Sequence, residues 1–70
     1  MVNIKWYEIW IDEGISPPYI LMLRCCESNV FQVLDIIGNK ISFEASNYDT
    51  ARIWLQEDEF TLVNGRMLLE

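Results

Sequence analysis

Two adjacent thiols and three adjacent carboxylates are the residue groups whose chemistry could make a site: Cys25-Cys26 and Glu57-Asp58-Glu59. A redox pair needs two sulfurs that can approach each other. Adjacent residues on a strand point to opposite faces, so a bridge between them would be strained, and the pattern is not C-x-x-C. Both thiols therefore read as structural and reduced. A calcium site needs several oxygens converging from a shaped loop. Three consecutive carboxylates fan outward instead, and nothing in the sequence brings Asp12 or Glu13 to them. Those five acids, Asp12, Glu13, Glu57, Asp58 and Glu59, are expected to form a solvated acidic surface.

The chain contains no histidine, which removes the imidazole base, the Ser-His and Cys-His nucleophiles and the common zinc sites. It carries no GxGxxG, GxxxxGK[ST] or EF-hand pattern. The expectation is a protein that is not an enzyme, with no cofactor, no metal and no small-molecule substrate.

Seventy residues allow one domain, 1–70, and 51% of them are hydrophobic. A domain this small buries a limited fraction of its surface, so it relies on tight packing or on a partner chain. The formal net charge of −6 disfavours phosphate backbones and hence nucleic acid. No segment approaches the roughly 20 apolar residues of a membrane span, and no leader pattern is visible. A cytoplasmic location is the default reading.

The elements that position these residues follow from periodicity and turn chemistry. Val2–Asp12 is rich in Val, Ile, Trp and Tyr and reads as a first strand. After the loop around Pro17-Pro18, Tyr19–Glu27 reads as a second, Val30–Ile37 as a third and Lys40–Ser46 as a fourth. Gly38-Asn39 suits a two-residue type II′ turn, pairing Ile36 with Ile41 and Leu34 with Phe43. Ser46 or Asn47 can cap a helix whose inner stripe is Tyr48, Ala51, Trp54 and Leu55. That helix is expected to stop at Glu57-Asp58-Glu59. Asn64-Gly65 then suits a type I′ hairpin pairing Leu62 with Met67 and Phe60 with Leu69.

The order is thus β-β-β-β-α-β-β: a small α+β domain, an antiparallel meander with one helix packed on one face. A strongly curled, barrel-like sheet is the alternative. If Ile9 faces Leu21, the helix covers Tyr7, Ile9, Ile11, Leu21 and Leu23. The opposite face then carries Trp6, Trp10, Ile20, Met22, Arg24, Phe31 and Val33, which is too apolar for solvent. In that register Arg24 lies opposite Trp6 and can stack on it while reaching Glu8.

Two functions compete. The first is a non-catalytic protein–protein interaction module using that apolar face, with a homodimer as one form of it. The second is an acidic inhibitor, of immunity or anti-defence type, that blocks a basic surface of a target.

Overall fold

The computed structural model describes residues 4–68, the Asn64 side chain excepted. The strands are β1 (Ile4–Asp12), β2 (Tyr19–Cys26), β3 (Phe31–Asp35), β4 (Lys40–Ala45) and β5 (Thr61–Leu68), with α1 (Tyr48–Glu57) between the last two. They form one antiparallel sheet in the order β4-β3-β2-β1-β5. The first four strands are a meander, and the chain crosses through the helix to add β5 beside β1. β4 and β5 are the two edges, so the sheet does not close into a barrel.

The helix forms where its caps dictate. Asn47 is the N-cap, its side-chain oxygen accepting from the Thr50 N–H at 2.8 Å, and Asp49 sits in the positively polarised first turn. At the other end Glu59 adopts φ 65. Its N–H donates to the Gln56 carbonyl, and the Phe60 N–H donates to the Leu55 carbonyl at 3.0 Å. This is a Schellman ending, and the apolar contact that accompanies it is Phe60 against Leu55, both buried. The acidic run is therefore a helix exit, as its sequence suggested.

α1 lies over β3 and β4. Ala51 and Leu55 are fully buried beneath it, beside Leu21, Leu23, Val33 and Trp10. Trp54 stacks flat on Phe43, with ring centroids 4.8 Å apart. Phe60 and Leu62 fill the core on the chain's return to the sheet.

Three expectations about register fail, and each failure moves side chains between faces. First, Trp10 rather than Ile9 pairs with Leu21, and Ile9 pairs with Met22. This one-residue slip turns β1 over relative to β2. Trp6 and Trp10 consequently face the helix and belong to the core, and Phe31 and Val33 join them because β3 pairs Val33 with Leu23 and Phe31 with Cys25, whereas Ile20, Met22 and Arg24 remain on the opposite side. Arg24 lies across from Tyr7, not Trp6.

Second, the β3–β4 turn is wider than two residues. Asp35 pairs with Lys40 and Leu34 with Ile41, leaving Ile36–Asn39 as the loop. The Asp35 carboxylate organises it by accepting the Gly38 N–H at 3.1 Å, and Asn39, not Gly38, takes the left-handed conformation at φ 54. A bulge at Ser42 then returns Phe43 to the core side, opposite Val33.

Third, Asn64-Gly65 makes a bulge instead of a hairpin. Ile9 pairs with Val63 and Glu8 with Arg66, so β5 runs along β1 in two halves with residues 64 and 65 looped out between them. Gly65 does use the positive φ that its sequence promised, at 93. The expected partners Leu69 for Phe60 and Glu70 for Glu59, and the expected start of strand one at Val2, lie outside the described residues.

Candidate functional site

The slip of β1 puts a carboxylate in the core. Glu8 is 2% exposed, and its neighbours supply every donor it needs. The Trp10 indole N–H donates to Oε1 at 3.1 Å, and the Tyr48 hydroxyl lies 3.0 Å from both oxygens. Arg66 approaches Oε2 through its Nε at 3.3 Å and an Nη at 3.2 Å. The same guanidinium lies 3.7 Å from the Trp6 ring centroid and 5.2 Å from that of Tyr48. Trp6, Tyr48 and Phe31 form a three-ring cluster, of which Trp6 and Tyr48 face the guanidinium. A buried charge is tolerated only when paired and hydrogen-bonded, and both conditions are met. Burial, and then the adjacent carboxylate, push the Tyr48 phenol above its ordinary pKa. An arginine that stacks on Trp6 and reaches Glu8 does exist, but it is Arg66, carried there by β5.

A second polar cluster ties the sheet's other end. The Tyr19 hydroxyl donates to Asp35 at 2.8 Å. The Gly38 amide and that hydroxyl hold the Asp35 carboxyl below its ordinary value. Among the described residues no buried side-chain nitrogen or oxygen lacks a partner. These groups hold the fold together, with no buried polar atom left over for a ligand.

The thiols are both buried and free, and strand alternation sends them to opposite faces. Cys26 lies 3.6 Å from the Gln32 amide oxygen, and burial pushes its thiol up, away from the reactive thiolate. Of the acids, Asp12 accepts the Gly14 N–H at 2.9 Å and shapes its own loop. Glu13, Glu57, Asp58 and Glu59 are exposed. No group of three or more metal-binding side chains converges among the described residues.

What remains is the side of the sheet that the helix does not cover. Alternation from the buried Glu8, Trp10, Leu21, Leu23 and Val33 puts their strand neighbours there. One row crosses all five strands: Val63, Ile9, Met22, Leu34 and Ile41, in paired register. Ile11 and Ile20 form the next row on one side. On the other side runs Met67, Tyr7, Arg24, Gln32 and Glu44. In that polar part Arg24 Nε donates to Gln32 at 2.8 Å, and the Gln32 amide donates to Glu44 at 2.7 Å. Val63, Ile41 and Met67 are 36%, 46% and 50% exposed, and Ile9, Met22 and Leu34 are half-buried on the side away from the helix.

Ile20, Met22 and Arg24 are thus the expected apolar-face residues that the structure keeps on an open face; Tyr7, Ile9 and Ile11, which sequence reading placed under the helix, join them, together with Leu34, Ile41, Val63 and Met67 from β3, β4 and β5. One signal for the true register was present. Arg24, Gln32 and Glu44 align as a complementary polar ladder only when β2, β3 and β4 take the observed pairing. A shallow groove of about 260 Å³ lies between the helix and β4, lined by Phe43, Thr50, Ile53, Trp54 and Glu57. It gives half-exposed Ile53, which lies off the helix's inner stripe, a setting.

No family model matches this chain, nor does any curated protein or solved structure. Among the described residues no helix is long and apolar enough to cross a membrane.

Proposed function

We propose that this protein is a non-catalytic protein–protein interaction module whose docking surface is the open face of the sheet. The row Val63–Ile9–Met22–Leu34–Ile41 carries the reading. An antiparallel sheet with one covered face ordinarily alternates to polar residues on the other. Here the central row of that face is apolar, with the Arg24–Gln32–Glu44 ladder confined to one side of it. Exposed apolar patches beyond a few hundred Å² mark interfaces, because water around them is released on docking.

Blockade of a basic target by the acidic surface has less support. The acids are scattered between the β1–β2 loop and the helix exit, and Asp12 is engaged with its own loop. The carboxylate with the densest set of partners, Glu8, is sealed in the core. Catalysis likewise lacks a group that is both reactive and accessible among the constellations described.

Lysine substitution on the open face tests the proposal. Met22→Lys and Leu34→Lys should retain the far-UV circular dichroism of the wild type while abolishing its association or, where the wild type is a monomer, its binding of an apolar dye. A wild type that is monomeric and also fails to bind the dye contradicts it.

A further inference from the structure

We infer that the occupant of the open face is a second copy of this chain, in a four-layer helix–sheet–sheet–helix dimer; this rests on the interaction-module reading above. Three features of the face select that occupant. The first is size. Five strands at about 4.8 Å spacing, rising about 3.3 Å per residue, outline a face of roughly 500–600 Å² in plan. Accessible area exceeds plan area, so the face approaches the about 800 Å² per partner of a standard interface. Two flat faces of one kind can bury it completely, packed about 10 Å apart. An inserted strand or helix would cover only one or two of the rows.

The second feature is charge. The chain carries 11 acidic and five basic residues, for a net −6. In the row beside the central one, Arg24 and Glu44 are joined through Gln32. A basic partner would find one carboxylate in that row, Glu44, already accepting from the Gln32 amide. An anionic lipid surface would meet the repulsion of the whole chain. A second copy carries the same net −6 as a whole, but the surfaces brought into contact are the apolar rows, with their few charges at the margin.

The third feature is geometry. An isologous pair of faces is related by a two-fold axis in the interface plane. With that axis across the strands, along the central row, Ile9, Met22 and Leu34 meet their own counterparts. The two Arg24–Gln32–Glu44 ladders then fall at opposite ends, where the arginine heads reach water. An axis along β2 would set Arg24 against Arg24 and is disfavoured.

Light scattering coupled to size exclusion, with dye binding on the same samples, tests this inference apart from the reading beneath it. The expected wild type is a dimer, with Met22→Lys and Leu34→Lys weakening association at least about 100-fold, since each buries an unpaired charge twice in a symmetric interface. Glu57→Lys, on the helix side, should leave the dimer intact. A monomeric wild type that binds the dye overturns the second copy and leaves the interaction face standing. A monomer that does not bind the dye, or a dimer indifferent to both open-face lysines, overturns both.

Discussion

Glu8 and Arg66 are 58 positions apart in the chain and meet in a charged hydrogen bond, the carboxylate wholly buried and the guanidinium capping it from the edge strand. The pair fastens the second half of β5 to β1 beyond the bulge. Removing Arg66 also strips a cation from the face of Trp6. Arg66→Ala should therefore destabilise the fold by about 1–3 kcal/mol. Arg24→Ala, on the open face, should cost under about 1 kcal/mol in the monomer. Urea unfolding of the two variants decides between them, and equal effects would show that the Trp6–Arg66 contact is dispensable.

Trp10 is a core residue that also donates to Glu8. Trp10→Ala should cost about 3–5 kcal/mol, from a cavity beside Leu21 together with a lost donor. In so small a domain that is enough to unfold much of the population. Met22→Lys should leave the monomer's thermal midpoint within a few degrees of the wild type. Circular dichroism melts of both variants test whether the tryptophan-bearing face of the sheet is the one inside.

These two residues mark the limit of what sequence alone shows. Alternation is clear in β1, but both of its sets are apolar: Tyr7, Ile9 and Ile11 against Trp6 and Trp10. Only Glu8 distinguishes them, and a carboxylate ordinarily faces water. Its three donor partners, Trp10, Tyr48 and Arg66, come from three different elements. The last two are tertiary partners with no local trace. The helix, its cap, its inner stripe and its acidic exit were legible because they are set by contacts within a few residues. The meander was legible from its short connections. Turn widths were not, because the Asp35 carboxylate reshapes one loop, and β1 recruits both halves of β5 where a hairpin would have paired them with each other.

Glu59 holds a left-handed conformation that an L-residue resists and glycine does not. Glu59→Gly should raise stability by about 0.5–1 kcal/mol, net of the entropy that glycine adds to the unfolded chain. For a domain of this size that is a rise of about 3–6 °C in Tm. Glu57→Ala and Asp58→Ala should stay within about 0.5 kcal/mol of the wild type. A calorimetric scan showing Glu59→Gly less stable would contradict the Schellman geometry.

Stability should fall at both extremes of pH. Asp35 is held below its ordinary 3.8, so the unfolded chain binds the proton first as pH drops. The stability it contributes is complete above that value and is lost as pH falls through the lower folded pKa. Tyr19 and Tyr48 are raised above 10.0, Tyr19 chiefly by its hydrogen bond to Asp35 and Tyr48 chiefly by burial. Their contribution is complete below pH 10 and is lost as pH rises through the raised values. Equilibrium unfolding across pH should show Asp35→Asn flattening the acid limb and Tyr48→Phe the alkaline one.

The open face itself is tested most directly by nuclear Overhauser contacts filtered to pass only between a labelled and an unlabelled copy, in a mixture of the two. The methyl of Met22 should show such contacts to Met22, Ile9 or Leu34 of the other copy, and the Ala51 and Leu55 methyls beneath the helix should show none. Intermolecular contacts confined to the helix, or to the β4 and β5 edges, would contradict docking through the sheet face.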